Sequence, residues 1–166
     1  TAVMASRWHL PAGSTADGPI RVQVTPDAVG WNHTSLRVVD LPPGTEHAVE
    51  TDGEEMLVLP LAGAATVTCD GATFELAGRP GVLAAVSDFV YLPRDAHAVV
   101  GSEGGGRFAL PGAQCGSRLE ARYGAAKDVG IELRGAGACS RQVNDICMPA
   151  TFAAERLLVC EGLTPA

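Results

Sequence analysis

Hydrophobic and polar residues follow one another along this chain in short runs that are typical of β-strands. Runs such as "IRVQV" (20–24) and "LRVVDL" (36–41) alternate in polarity or are largely apolar, and they are rich in β-branched side chains. Strands this short, with turn-forming residues between them, predict an antiparallel sandwich or barrel. The predicted strand segments are 20–24, 36–41, 55–61, 65–76, 88–93, 97–100, 106–110, 118–123 and 129–135.

Two positions inside these runs predict particular backbone features. Asp70 and Gly71 divide the segment 65–76, and both residue types tolerate the positive φ that a two-residue hairpin turn requires. Pro60 interrupts the apolar run 55–61. Because proline has no backbone N–H to donate, it predicts either an edge position or a β-bulge at that point.

The carboxyl-terminal part of the chain predicts a change of organisation. The glycine-rich "RGAGACS" (134–140) is the predicted domain boundary, which divides the chain into residues 1–135 and residues 136–166. Residues 150–158 fit either a short helix or a loop that leads into a strand. Apolar strands after residue 140 would be exposed by themselves, so we expect them to pair with the first domain or with a second copy of the chain.

Length, composition and charge exclude several classes of protein. A chain of 166 residues, 46% of them hydrophobic, is large enough for one domain with its own core. The net charge of −7 argues against a nucleic-acid groove and against an anionic membrane surface. There is no run of about 18 apolar residues of the kind that predicts a transmembrane helix. The first residues, "TAVMASRWHLPAG" (1–13), lack the pattern of a signal peptide.

The cysteines predict reduced thiols rather than disulfides or a zinc site. There are five of them, which is an odd number, and no Cys-x-x-Cys spacing occurs. We therefore expect a cytoplasmic protein whose cysteines are free.

One stretch has the outline of a metal-binding strand pair. Cupin folds carry two histidines at alternate positions of a strand, because residues two apart point to the same face and so into the barrel. Here a proline-glycine turn precedes Glu50 and Asp52, which keep that spacing without the imidazoles. Glu55 begins the next strand, and a later strand supplies His97.

This stretch has two interpretations. Glu50, Asp52, Glu55 and His97 together would form an oxygen-rich site suited to Mn²⁺ or Fe²⁺. Alternatively, the chain has a cupin scaffold that holds no metal, with these side chains on its polar rim. The second interpretation is favoured, since "ETDGEE" (50–55) lies in a turn, where acidic side chains are usually solvated, and since catalytic iron sites normally use more than one histidine.

Four long segments, taken in order, resemble the 5-deoxy-glucuronate isomerases, a family of bicupin sugar-acid isomerases of inositol catabolism. They are "LRVVDLPPGTEHAVETDGEEMLVLPLAGAATVTCDG" (36–71), "DFVYLPRDA" (88–96), "RYGAAKDVGIELRGAGACSRQVNDI" (122–146) and "AERLLVCEGLTPA" (154–166). The resemblance therefore covers nearly the whole chain.

The resemblance implies an architecture of two cupin domains. Residues 1–135 would be a degenerate first cupin without metal ligands, and residues 136–166 would be the linker and first strands of a second cupin. In the family, the second cupin holds a divalent metal through histidines that match no residue of this chain. We therefore expect this chain itself to bind no metal or other cofactor.

The resemblance also implies a reaction, the aldose–ketose isomerisation of 5-deoxy-glucuronate to 5-dehydro-2-deoxy-gluconate. A proton moves between C2 and C1 through an enediol, and a cationic side chain holds the carboxylate of the sugar acid. Arg141 is the candidate for that contact; its alternative role is a structural salt bridge at the edge between domains.

The sequence thus predicts an all-β, cupin-type antiparallel β-barrel of the jelly-roll sandwich kind. Its expected function is to be part of a 5-deoxy-glucuronate isomerase, inactive without the metal-binding half. The alternative is a non-catalytic cupin-like module that binds a small ligand or acts as a scaffold. The expected partners are a small sugar acid and either the second cupin domain or a homo-oligomeric copy, with no nucleic acid and no membrane.

Overall fold

A computed structural model describes residues 9–164 and consists almost entirely of antiparallel strands. Residues 1–8 and 165–166, which belong to the ends of the two predicted domains, lie outside the described part. The strands are β1 (Ile20–Val24), β2 (Thr34–Leu41), β3 (Thr45–Glu50), β4 (Glu54–Cys69), β5 (Ala72–Arg79), β6 (Phe89–Leu92), β7 (His97–Ser102), β8 (Gly106–Gln114), β9 (Arg122–Gly124), β10 (Gly130–Arg134), β11 (Arg141–Cys147) and β12 (Val159–Leu163).

Helical structure is confined to short pieces in the described chain. One four-residue helix, α1 (Pro26–Val29), begins with proline at its first position, is capped by the Thr25 hydroxyl and ends at Gly30. Single 3₁₀ turns occur at Ala126–Asp128 and Gly137–Cys139. None of the helices within residues 9–164 has the length and hydrophobicity needed to cross a bilayer.

Strand β4 belongs to both sheets of a sandwich. Its first part pairs with β6 and β8, within the order β1-β2-β8-β4-β6-β9. Its second part pairs with β5 and β7, and β7 in turn pairs with β3. The sheets do not close into a barrel, so the jelly-roll sandwich form of the predicted all-β fold is the one confirmed.

The two backbone features predicted from the sequence are both confirmed. The register of β4 against β8 shifts between Pro60 and Ala62, so proline marks a bulge where the strand passes from one sheet to the other. Cys69 pairs with Ala72 across a two-residue turn. In that turn Asp70 has φ 53° and Gly71 has φ 79°, as a type I′ hairpin requires.

The space between the two sheets is filled by a hydrocarbon core. Residues of both sheets contribute to it, and the large side chains Met56, Phe108 and Leu92 are completely inaccessible to solvent. Every second side chain of each strand points into this space, so a strand whose other face is exposed to solvent reads as alternating in the sequence.

A third layer covers the outer face of the sheet that contains β6. Strands β10, β11 and β12 form a small antiparallel sheet in that order. A second apolar cluster lies under it, in which Leu57, Phe89 and Tyr91 meet Ile146 and Leu157. The carboxyl-terminal strands thus pack on the first domain, and a contact with another copy is not needed to bury their inner face.

Other sequence predictions are refined by the structure. The segment 118–123 contributes only its end, because the strand there runs from Arg122 to Gly124. Of the two alternatives for residues 150–158, the loop is found, and the strand begins at Val159. The boundary after residue 135 falls in the connection between β10 and β11, which pair with each other, and the division into two domains stays a prediction.

Candidate functional site

The four residues predicted as possible metal ligands are not brought together. Glu50 and His97 are cross-strand partners on β3 and β7, and the Glu50 carboxylate contacts the imidazole Nδ1 of His97. Their side chains are 62% and 61% exposed, whereas the adjacent Val49 and Ala98 point into the core. The pair therefore lies on the outside of the sandwich, where a contact between two solvent-exposed polar side chains contributes little stability.

Asp52 occupies a turn rather than a ligand position. Its φ is 48°, in the left-handed region that aspartate tolerates better than most residues. Its carbonyl accepts a hydrogen bond of 2.6 Å from the N–H of Asp95. The neighbouring Thr51 is buried, and its hydroxyl donates to the carbonyl of Pro93 at 2.8 Å. These bonds join two turns at one end of the sandwich through backbone and hydroxyl groups.

Glu55, the remaining candidate, is completely buried and has a different set of partners. Its carboxylate accepts hydrogen bonds from the Tyr91 hydroxyl (2.5 Å) and from three successive backbone N–H groups, those of Glu155 (3.0 Å), Arg156 (2.5 Å) and Leu157 (2.6 Å). A carboxylate held by several N–H donors is strongly stabilised in its charged form. Glu55 thus fixes the loop before β12 onto β4.

The electrostatics of this contact follow from burial and hydrogen bonding. Burial acts to raise the pKa of Glu55, but the hydrogen bonds from Tyr91 and the three N–H groups outweigh it, so the pKa lies below its ordinary value of 4.5. The pKa of Tyr91 is raised, by burial and by the adjacent Glu55 carboxylate. Burial likewise raises the pKa of the nearby Cys147 thiol to about 11. The glutamate is therefore ionised, and the tyrosine and the thiol are neutral, at physiological pH.

One group of potential metal-binding atoms occurs in the described chain, and it does not suit a metal. Glu55, Cys115 and Glu155 bring one ligand atom each within 4.8 Å of one another. Both Glu55 oxygens already accept hydrogen bonds, and the Glu155 oxygens accept from Gly116 N–H (3.0 Å) and Arg156 Nε (3.0 Å). The four donors to Glu55 use all the acceptor positions of its carboxylate, which leaves no lone pair for a divalent ion. This group therefore does not fit the metal that the family resemblance implies.

Aromatic contacts also attach the loop before β12 to the sandwich. The guanidinium carbon of Arg122 lies 5.3 Å from the ring centroid of Tyr91 and 4.4 Å from that of Phe152. Phe152 also meets Phe89 edge-on at 4.8 Å between centroids. Cation–π and edge-to-face contacts each contribute about 1 kcal/mol when buried. They hold the loop at residues 150–157 against β6.

A second buried contact attaches β12. The Arg79 side chain, which is fully buried, donates to Glu161 through Nη1 (2.9 Å) and Nη2 (2.5 Å). Asn144 Nδ2 adds a bond of 2.9 Å to the same carboxylate, and Arg79 Nε donates to the carbonyl of Pro60 at 2.9 Å. Burial acts to raise the pKa of Glu161, and the bonds from Arg79 and Asn144 lower it further than burial raises it. The result is a bidentate ion pair between the sandwich and the small sheet.

Arg141, the candidate for a substrate carboxylate, lies at the start of β11. Its guanidinium is exposed and donates to the carbonyl of Cys139 at 3.2 Å. It borders a groove of about 540 Å³ whose apolar wall includes Leu83, Leu133 and Leu163. Across the strand pair it stands directly opposite Arg134. A cation at an open, partly apolar groove can hold a carboxylate, but no acid or base of the predicted set lies beside it.

The sequence interpretation missed the partners of Glu55 and Arg79. The signal for Glu55 was its place at the head of a buried apolar run, "EEMLVLPL" (54–61), where a charge needs a partner. Nothing in the spacing identifies that partner, because the contacts to Glu55 come from 36 to 102 residues away along the chain.

Comparison with protein families gives a match over almost the entire chain. The model of the KduI/IolB family matches residues 8–166. Among curated proteins, the chain is 32% identical over 162 residues to a 5-deoxy-glucuronate isomerase of Geobacillus kaustophilus, covering 96% of this chain and 58% of that protein. It is 29% identical over 144 residues to the protein of the same name in Bacillus subtilis, covering 53% of it. The chain thus spans little more than half the length of these relatives.

Solved structures agree on the fold. An IolB-like protein from Salmonella typhimurium superposes with a TM-score of 0.82 at 27% identity, covering 89% of this chain and 57% of that one. A putative glyoxylate-induced protein from Pseudomonas aeruginosa, at 16% identity, superposes with a TM-score of 0.57 and shares the fold alone. In both comparisons the part covered is little more than half of the other chain.

Proposed function

The chain belongs to the KduI/IolB family, and from this premise we propose that it forms the amino-terminal half of a 5-deoxy-glucuronate isomerase. The proposal rests on one observation above all, the match of residues 8–166 to the family together with the isomerase names of relatives about 30% identical to it. The substrate would be 5-deoxy-glucuronate and the product 5-dehydro-2-deoxy-gluconate, in myo-inositol catabolism in the cytoplasm.

The reaction moves hydrogen between two adjacent carbons of an aldose. A base removes the proton from C2 and the carbonyl oxygen at C1 takes up a proton, which gives an enediol. A proton then returns to C1 while the C2 hydroxyl loses its proton, which leaves the ketone at C2. A divalent metal supplies polarisation of the two oxygens in such a reaction. Since Glu50 and His97 lie on the outer surface and the Glu55 oxygens are occupied by N–H donors, we assign the metal to the second cupin of the complete protein.

Within the proposed enzyme this chain supplies the scaffold. The space between its sheets is filled by apolar side chains such as Met56, Phe108 and Leu110. Two groups of its buried polar side chains attach the carboxyl-terminal strands, one around Glu55 and one formed by the Arg79–Glu161 pair. These attachments would orient whatever follows β12 relative to the first domain.

Arg141 is the residue of this chain that we assign to the substrate carboxylate. Its guanidinium is exposed at the end of the small sheet, and its one hydrogen bond within residues 9–164 leaves donors for a bidentate contact with a carboxylate. Its position on β11 also puts it next to the region from which a second domain would continue. The sugar acid and the second cupin domain are the partners this proposal requires.

Activity of the complete reading frame tests the proposal. We expect the protein that the complete reading frame encodes, purified with Mn²⁺, to interconvert 5-deoxy-glucuronate and 5-dehydro-2-deoxy-gluconate in a proton NMR assay. The 166-residue chain should be inactive under the same conditions. Failure of the complete protein to convert this substrate would refute the isomerase assignment. Turnover by the 166-residue chain alone, or one stoichiometric divalent ion in its elemental analysis, would refute the scaffold role.

A further inference from the structure

Strand β10 has an exposed outer edge. It pairs with β11 on one side, and its other side has no strand partner among residues 9–164. Ile131 and Leu133 are 57% and 84% exposed, which is unusual for large aliphatic side chains of a strand. An open strand edge with exposed apolar side chains is a template for pairing with another strand.

The sequence of β10 is complementary to itself in one antiparallel register. If two copies of β10 pair about a two-fold axis at Leu133, then Leu133 of each copy lies opposite Leu133 of the other. Glu132 then lies opposite Arg134 of the second copy, and Arg134 opposite its Glu132. Opposite charges directly across a strand pair stabilise it, and like charges destabilise it. The register centred on Glu132 would place two carboxylates opposite each other and is disfavoured.

The surroundings of β10 favour this arrangement. In the single chain Arg134 stands directly across from Arg141 on β11, a pairing of like charges. Glu132 of its own chain already contacts Arg134, with 2.6 Å between Oε2 and Nε, and Glu132 of a second copy would bring another carboxylate to Arg134. The apolar face of β10 borders the groove formed with Leu83, which is 79% exposed, and Leu163.

We infer that two copies of this chain associate through the outer edge of β10 by two-fold antiparallel pairing centred on Leu133. The two small sheets then form one continuous sheet in the order β12-β11-β10-β10-β11-β12. Backbone hydrogen bonds give the association, the Leu133 pair closes one face, and the two Glu132–Arg134 pairs select the register on the other.

Charge reversal tests this geometry against any other mode of association. Sedimentation velocity of the 166-residue chain and of the product of its complete reading frame should show a dimer, which for the shorter chain is twice 17.1 kDa. E132R and R134E should each weaken dimerisation by about tenfold or more, because each places like charges across both pairs. The double variant E132R/R134E should restore it. Circular dichroism checks that these surface substitutions leave the fold intact.

Mixing the two single variants provides the sharpest result. At positions 132 and 134, the E132R variant has two arginines and the R134E variant has two glutamates. The pairs across a mixed dimer are therefore complementary even though neither variant pairs with itself. We expect heterodimers in the mixture and monomers in each separate sample. A monomeric wild-type chain would overturn the inference, as would single variants that dimerise normally or a mixture that stays monomeric. A complete protein that is monomeric while the 166-residue chain dimerises would show that another part of the protein occupies this edge, and would also overturn it.

Discussion

The carboxylate of Glu55 and the backbone N–H of Leu157 are joined by a hydrogen bond of 2.6 Å although 102 residues separate them in the chain. Glu55 lies at the start of the longest strand of the sandwich, and Leu157 lies in the loop that leads to the last strand. A residue that matches a ligand position in the sequence is thus a structural anchor, since its oxygens receive four donors and face the covering layer.

Replacing Glu55 by glutamine should destabilise the chain by about 3 kcal/mol. The amide has one oxygen instead of two, so some of the N–H groups of Glu155, Arg156 and Leu157 would lose their acceptor while remaining buried. Urea unfolding followed by far-UV circular dichroism measures the loss. Amide hydrogen exchange should accelerate most at these three positions.

The neighbouring Glu54 gives a matched control for that variant. It is also buried, but it accepts one hydrogen bond, from the Ser35 hydroxyl at 2.9 Å, and its other oxygen has no partner among residues 9–164. E54Q should therefore cost about 1 kcal/mol or less. Equal losses in E54Q and E55Q would mean that burial of the charge, rather than the hydrogen bonds to the loop, determines the effect.

The stability of the chain should fall as the pH drops below 4.5. Glu55 and Glu161 both have a pKa below the ordinary 4.5 in the folded state, because hydrogen bonds from their partners outweigh burial. Their contributions are therefore fully present above pH 4.5 and are lost as the pH falls through the folded pKa values. Free energies of unfolding measured between pH 7 and pH 3 should decline more gently in E55Q than in the wild type. Identical slopes would contradict the lowered pKa of Glu55.

Removing Arg79 should cost more than removing a comparable arginine from the surface. R79M leaves the largely buried carboxylate of Glu161 without its ion-pair partner and should destabilise the chain by about 3–5 kcal/mol. Adding E161Q should recover about 1–2 kcal/mol, because the neutral amide can still accept from Asn144. The control R107M breaks an exposed pair with Asp40 and should cost less than about 1 kcal/mol. Thermal unfolding of the four proteins distinguishes these outcomes, and a double variant no more stable than R79M would count against the buried-charge explanation.

Alanine substitutions at two glycines with positive φ distinguish the cost of backbone strain from the cost of a steric clash. A Cβ on Gly71 (φ 79°) would meet nothing within 4 Å, so G71A should cost about 1 kcal/mol through the left-handed backbone alone. A Cβ on Gly78 (φ 64°) would lie 1.8 Å from the carbonyl oxygen of Gly63, so G78A should cost about 3 kcal/mol or more. Denaturant midpoints of the two variants give the comparison. Similar losses of stability in G71A and G78A would mean that the segments around Gly63 and Gly78 move apart at little cost.

Much of the sandwich was predictable because strand formation depends on local sequence. The hairpin at Asp70 and Gly71 requires only two residues that tolerate positive φ, and the bulge at Pro60 requires only a missing N–H. The strand Thr45–Glu50 was less evident, since its burial is confined mainly to Val49 and it reads as a polar turn. The spacing of Glu50 and Asp52 matches that of a ligand pair, but spacing alone does not say which way a side chain points.

The sequence by itself determined that this protein is an all-β sandwich of the KduI/IolB family, because hydrophobic periodicity, turn residues and family-wide matches are properties of the linear chain. Only the tertiary structure decided what Glu50, Glu55, Arg79 and His97 do. Glu50 and His97 meet on the outer surface, whereas Glu55 and Arg79 are buried against residues from the other end of the chain. The energy of a buried charge depends on which donors surround it in space, and those donors come from segments whose approach is set by the packing of the whole fold.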